Sequence, residues 1–131
     1  MKVVIDTNVY IAIENEEKIE KLLYILEKAD EIIVPTIVFG ELYHGFWKSG
    51  KITEKEEKLN QFLKIKKIKT WTLTKETVSL FGEISWRLRK ELVKGLSQND
   101  IWIGAIVKEN NAWCVTRDEK FKLMGIKVKT Y

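Results

Sequence analysis

The chain has 131 residues, 45% of them hydrophobic and 32% charged, which is the balance of one folded domain rather than of a disordered chain. One cysteine excludes an intramolecular disulfide framework and a cysteine-rich zinc site. Apolar runs fall far short of the roughly 20 residues that a membrane-spanning helix needs. We therefore expect a soluble, cytoplasmic protein that forms a single domain over residues 1–131.

Short apolar runs alternate with longer segments in which apolar residues recur at helical spacing. In chain order the patterns predict strand 2–5, helix 16–28, strand 32–34, helix 36–48, helix 53–66, strand 68–73, helix 75–94, helix 101–108, strand 113–115 and strand 126–128. Thr53 and Glu56 have the spacing of a capping box at the start of the third helix. Strands this short, separated by helices, favour a three-layer α/β/α sandwich around a mainly parallel sheet of about five strands.

The net charge of +4 is unevenly distributed along the chain. Residues 1–47 contain 4 lysines and 9 acidic residues, whereas residues 48–69 contain 8 lysines and 3 acidic residues. The lysines of the segment 64–69, which we call the basic segment, are typical of a solvated surface. A surface that binds a polyanion is the other interpretation, because lysines neutralise phosphates and release counterions.

Three carboxylates are each the only charge in a stretch of at least 11 residues, although 32% of the residues in the chain are charged. Asp6 is the only charge in residues 3–13, Glu41 in residues 32–47, and Asp100 in residues 95–107. A carboxylate beside an apolar core is costly unless it is hydrogen-bonded, paired or bound to a metal ion. These three residues are therefore candidates for a functional site.

Their predicted positions converge on one edge of the sheet. Asp6 directly follows the first strand and Asp118 follows the fourth, so both lie at the carboxyl edge, where open α/β folds place ligands. Asp100 begins a helix, and Glu41 lies in the helix after the second strand, from which it can point back to that edge. Asp30 precedes its strand and is excluded, because it belongs to the opposite edge.

Each candidate also has a purely structural interpretation. Asp6 could cap a helical turn, Asp100 could share a capping box with Ser97, and Asp118 could lie in another capping box formed by residues 116–119. Glu41 lies too far into its helix for a cap, and its structural alternative is an exposed surface acid. We keep both interpretations open for these four residues.

The motifs, in their order, resemble those of PIN-domain ribonucleases, in particular VapC-type toxins of toxin–antitoxin pairs. The resemblance rests on Asp6–Thr7–Asn8–Val9, Pro35, Glu41–Leu42, the run Asp100–Ile101–Trp102–Ile103–Gly104–Ala105, Val115–Thr116–Arg117–Asp118 and Phe121. It implies that Asp6, Glu41, Asp100 and Asp118 are catalytic residues that hold a divalent metal ion, with Asn8 and Thr116 as supporting polar groups. It also implies a VapB-type antitoxin that covers the acidic groove, and a homodimer.

The chemistry of these side chains fits hydrolysis of a phosphodiester. Hard carboxylate oxygens select Mg²⁺ or Mn²⁺ over zinc, and such ions activate water and stabilise charge on phosphate. We therefore expect a Mg²⁺- or Mn²⁺-dependent endoribonuclease, with the basic middle of the chain, residues 48–69 and 85–99, holding the RNA backbone.

Three other functions remain possible from the sequence. One is a catalytically silent PIN-like module that binds RNA or acts as a scaffold. The others are a receiver-type domain and a small Mg²⁺-dependent phosphatase of the haloacid dehalogenase type. The receiver lacks its paired acids and the aspartate after the third strand, and Asn8 replaces the second acid of the phosphatase motif.

Overall fold

The computed structural model describes residues 1–91 and 95–131. Its strands are β1 (Lys2–Ile5), β2 (Glu31–Pro35), β3 (Ile68–Trp71), β4 (Trp113–Thr116) and β5 (Val128–Thr130). Its helices are α1 (Thr7–Glu14), α2 (Glu20–Lys28), α3 (Thr36–Ser49), α4 (Ile52–Leu63), α5 (Lys75–Glu91) and α6 (Gln98–Glu109), with a 3-10 helix at Glu119–Met124. The predicted end of helix 75–94 lies outside the described residues. Within them, no helix is both long and apolar enough to cross a membrane.

The five strands form one parallel sheet in the order β3-β2-β1-β4-β5. Consecutive strand residues point to opposite faces of a sheet. Val3, Val4 and Ile5 of the central β1 are all completely buried, so helices cover both faces. The structure thus confirms the predicted three-layer α/β/α sandwich and its parallel sheet.

The order of the strands creates a switch point at the centre of the sheet. From β1 the chain builds outward through β2 and β3, and β4 and β5 are then added on the other side of β1. Connections that leave β1 and β4 therefore diverge, and a crevice opens at the carboxyl ends of these two strands, where α/β folds bind ligands. Asp6 and Thr116 lie at that position.

Several boundaries differ from those predicted. The sequence patterns missed α1, and they placed the start of α2 too early because residues 15–17 close the end of α1. Glu16 has a φ of 54°, and its backbone N–H donates to the carbonyl of Ile13 at 3.0 Å. The 3-10 helix was also missed, and β5 begins two residues after its predicted position.

The predicted capping box at residues 53–56 is wrong. The N-cap of α4 is Lys51, so Thr53 already lies within the first helical turn. Glu56 accepts a hydrogen bond from the hydroxyl of Tyr43 on α3 and thereby joins the two helices. The spacing of a capping box was present without the backbone geometry that it requires.

The basic segment lies at the amino edge of the sheet, because it leads directly into β3. Lys67 is part of the fold there: its ammonium donates to the carbonyls of Leu26, at 2.7 Å, and of Glu27 and Ala29, both at 3.3 Å. It therefore satisfies carbonyls at the end of α2, which have no helical partner. The basic segment therefore lies at the edge of the sheet opposite to Asp6 and Thr116, and RNA binding by the basic middle of the chain stays a prediction.

Candidate metal and nuclease site

Asp6 is a buried carboxylate at the switch point, and two elements hold it. Its Oδ1 accepts the backbone N–H of Val9 at 3.1 Å, which makes Asp6 the N-cap of α1. Its Oδ2 accepts the hydroxyl of Thr116 at 2.6 Å, across 110 residues of sequence. Asp6 is only 7% exposed and Thr116 is fully buried, so the orientation of this carboxylate is fixed by the fold.

Glu41 reaches the same place from α3. Its Oε1 accepts the hydroxyl of Thr7 at 3.1 Å, and Thr7 directly follows Asp6. Beyond this contact a cleft opens to solvent between α3 and the start of α6, lined by Thr36, Ile37, Gly40, Glu41, His44 and Asn99. Glu41 therefore connects the buried carboxylate of Asp6 to a surface that a polymer can approach.

Asp100 lies in the first turn of α6 and forms the capping box considered above. Its backbone N–H donates to Ser97 Oγ at 3.1 Å, and the N–H of Ser97 donates to Asp100 Oδ2 at 2.9 Å. The capping role is therefore real, and so is that of Asp6. Capping does not exclude metal binding, because each carboxylate oxygen has more than one lone pair.

The charge of Asp100 reaches both Asp6 and Glu41. Burial raises the pKa of Asp6, the hydrogen bonds from Thr116 and Val9 oppose this, and the charge of Asp100 raises it further. Burial also raises the pKa of Glu41, the bond from Thr7 opposes it, and the charges of Asp100 and Asp6 add to the increase. We call Asp6, Glu41 and Asp100 the carboxylate cluster.

Asp118 and Asn8 lie at the border of this cluster. Asp118 donates its backbone N–H to Thr116 Oγ1 at 3.0 Å, and its side chain accepts the N–H of Lys120 at 2.9 Å as the cap of the 3-10 helix. It is thus connected to Asp6 through Thr116, whereas its charge is not among those that raise the pKa of Asp6 or Glu41. The side chain of Asn8 is exposed, and its backbone N–H helps to lower the pKa of Asp6.

The donor set fits a hard divalent cation. The cluster offers carboxylate oxygens whose mutual repulsion a cation would relieve. In the part of the chain that the structure describes, no three His, Cys, Asp or Glu side chains are already arranged as a metal site. Ligation would therefore require bridging water or a change of rotamer, and the exposed Glu41 is best placed for such a change.

Sequence reasoning did not assign a role to Thr7, although it orients Glu41. Its position directly after Asp6, where the chain enters a helix at the carboxyl edge, is the signal that could have identified it. Thr116 was expected as a supporting group, and its contact with Asp6 places it in that position.

Comparisons with known proteins agree with this geometry. The PIN domain family profile matches residues 3–127. A chain of VapBC2 from Rickettsia felis, crystallised with a promoter DNA fragment, is 25% identical with a TM-score of 0.85, and the match covers 99% of this chain and 98% of that one.

Two more distant structures share the fold. VapBC-1 from nontypeable Haemophilus influenzae is 16% identical with a TM-score of 0.85, over 99% of this chain and 98% of that one. The sarcin–ricin loop cleaving toxin VapC20 from Mycobacterium tuberculosis is 15% identical with a TM-score of 0.69, over 95% of both chains. No curated protein sequence matches significantly. The match along nearly the whole chain establishes that this protein belongs to the PIN domain family.

Proposed function

We propose that this protein is a divalent-metal-dependent endoribonuclease and the toxin of a VapBC-type toxin–antitoxin pair. Membership of the PIN family and the likeness to VapBC structures support a nuclease of this kind. The observation that carries the proposal is the carboxylate cluster at the switch point, where the charges of Asp6 and Asp100 raise the pKa of Glu41. Acidic groups brought together in this way are typical of functional sites rather than of structural ones.

In this proposal Asp6, Glu41 and Asp100 hold Mg²⁺ or Mn²⁺, directly or through water. Asp118 completes the pocket or positions water, with Asn8 and Thr116 in support. When bound, the cation would supply activation of the attacking water and stabilisation of the charge that develops on the scissile phosphate.

The residues of the chain contribute orientation. The hydroxyl of Thr116 and the N–H of Val9 each occupy one oxygen of Asp6, so this carboxylate cannot rotate freely. Thr7 holds Glu41 toward Asp6, and the N–H of Ser97 holds Asp100. Carboxylates that are oriented before the substrate arrives reduce the free-energy cost of assembling the site during the reaction.

RNA is the proposed substrate, and the cleft beside Glu41 is the proposed route to the cluster. The described activity of VapC20 on the sarcin–ricin loop supports RNA as the class of substrate. The VapBC structures support a VapB-type antitoxin as a partner, and we retain the homodimer as a proposal.

Thermal unfolding with and without Mn²⁺ or Mg²⁺ tests the metal site without knowledge of the substrate. A ligand at 100 times its Kd stabilises the native state by about 2.7 kcal/mol. With an unfolding entropy of about 0.28 kcal/mol/K for 131 residues, the wild type should gain about 10 °C in Tm. Asp6→Asn should lose this gain, whereas the control Asp30→Asn, at the opposite edge, should keep it.

Cleavage of RNA with an EDTA control then tests the reaction. Metal-dependent turnover that Asp6→Asn abolishes would establish the nuclease. A wild type that neither responds to metal nor cleaves RNA would contradict the proposal and favour the catalytically silent PIN module.

A further inference from the structure

The location of the basic segment leaves an electrostatic problem at the proposed active site. The carboxylate cluster repels the phosphates of RNA, and the lysines of residues 64–69 lie at the other edge of the sheet. A cation that the fold places near the cluster, at the carboxyl edge, would offset this repulsion. Arg117 lies there, because it directly follows Thr116, whose hydroxyl binds Asp6.

Arg117 is held in place by two neighbours. Thr116 of β4 pairs with Thr130 of β5, so Arg117 and Tyr131 leave the same edge side by side. The guanidinium carbon of Arg117 lies 5.1 Å from the centroid of the Tyr131 ring, and an Nη lies 3.6 Å from a carboxylate oxygen of Glu17. The side chain is nevertheless 54% exposed, so it remains accessible to a ligand.

Tyr131, against which Arg117 lies, is partly buried. Its hydroxyl is buried and has no hydrogen-bond partner among the described residues. Burial raises the pKa of Tyr131 to about 12, the charge of Asp6 raises it as well, and that of Arg117 lowers it. The hydroxyl of Tyr131 is thus within electrostatic reach of both Asp6 and Arg117.

We propose that Arg117, held on the ring of Tyr131, binds a phosphate of the RNA strand beside the carboxylate cluster. This inference rests on the proposed nuclease function. A guanidinium binds phosphate through two parallel hydrogen bonds, which gives orientation as well as attraction. Its exposed ion pair with Glu17 is weak, so a phosphate competes with it readily. Tyr131 is a positioning residue, since it acts through Arg117.

The test measures binding of a fluorescent single-stranded RNA of mixed sequence in EDTA, where metal-dependent cleavage is absent, over a series of salt concentrations. Arg117→Gln should weaken binding about five- to tenfold at low salt. It should also reduce the slope of log K against log salt by about 0.7, the value for one lost phosphate contact on a single strand. Lys66→Gln removes one charge at the amino edge and serves as the matched control, with affinity and slope unchanged.

Two variants separate the ring of Tyr131 from its hydroxyl. Tyr131→Phe keeps the surface on which Arg117 lies and should bind RNA as the wild type does. Tyr131→Ala removes that surface and should lose affinity together with part of the salt slope. A purely structural role of Tyr131 would instead lower Tm and leave the salt slope unchanged, which would contradict its positioning role.

The outcomes distinguish this inference from the proposed function. If the wild type cleaves RNA with Mn²⁺ while Arg117→Gln keeps wild-type affinity, salt slope and KM, the assignment of Arg117 is wrong and the nuclease stands. An equal loss in Lys66→Gln would show that affinity follows net charge, and this too would overturn the assignment. A wild type without salt-dependent RNA binding in EDTA would overturn the assignment of Arg117, whereas only the absence of cleavage with Mn²⁺ would overturn the nuclease.

Discussion

The replacement of Thr116 by valine tests the contact on which the geometry of the site depends. Valine has nearly the same shape and suits a strand, so the change removes the hydroxyl and little else. Asp6 Oδ2, on a carboxylate that is only 7% exposed, then loses a donor at 2.6 Å, and the backbone N–H of Asp118 loses its acceptor at 3.0 Å. The variant is therefore expected to be clearly less stable.

The size of the loss follows from the charge of the acceptor. A hydrogen bond to a charged group contributes about 1.5–3 kcal/mol, and leaving the buried partner unsatisfied retains the full desolvation cost. With the N–H of Asp118 included, we expect a loss of about 2–3 kcal/mol, which is about 7–11 °C in Tm for a chain of 131 residues. Thr116→Ser keeps the hydroxyl and loses one buried methyl group, at about 1 kcal/mol.

The pH dependence gives a second readout of the same contact. The hydroxyl of Thr116 lowers the pKa of Asp6, which burial raises above 3.8, so it favours the ionised carboxylate. Its contribution is largest where Asp6 is ionised and shrinks as the pH falls through the raised pKa of Asp6. Thermal unfolding of both variants at pH 7 and pH 4 measures this. A valine variant that melts within about 2 °C of the serine variant at pH 7 would refute the reasoning.

Three further predictions concern the metal site and the fold. The pKa of Asp6 is raised above 3.8 and that of Glu41 above 4.5, so protons compete with the cation for these carboxylates. The gain in Tm with Mn²⁺ should therefore fall as the pH drops through the range above these values. A gain that does not depend on pH would contradict this. Gly50→Ala, at a φ of 73°, should lower the free energy of unfolding by about 1 kcal/mol. Gly45→Ala lies within α3, where an added Cβ meets no atom within 4 Å, and should raise the free energy of unfolding by about 0.5–1 kcal/mol. Thermal unfolding measures both, and changes of the same sign would refute the distinction. Lys67→Met should lower stability to urea by about 1–2 kcal/mol, because three carbonyls at the end of α2 lose their donor, and an unchanged midpoint would contradict that role.

The two interpretations of the acidic residues turn out to be compatible. Asp6 caps α1 and Asp100 completes the capping box of α6, as a purely structural interpretation requires, and the charge of Asp100 still raises the pKa of Asp6. A helix N-terminus stabilises a carboxylate through its free N–H groups and its dipole. The fold can therefore keep several negative charges close together in the absence of a cation, with capping bonds that offset part of their repulsion.

Features that depend on a local pattern of residues could be predicted from the sequence. Apolar runs and helical periodicity identified five strands and their alternation with helices, because a side chain's repeat along a strand or helix is set by local geometry. The position of Asp6 directly after an apolar run placed it at the carboxyl edge, because parallel strands end on the same side. Short elements were missed, since the eight residues of α1 carry too few turns for a clear period.

Which of these features meet in space could not be predicted from the sequence, because it depends on how the strands and helices pack together. The placement of β1 beside β4 brings Asp6 to Thr116 across 110 residues, and the path of α3 brings Glu41 to Thr7. The tertiary structure also separates the basic segment from the carboxylates and leaves Arg117 beside them. Neighbouring strands are selected by the packing of the whole core, to which every element contributes, and no local run of residues carries that information.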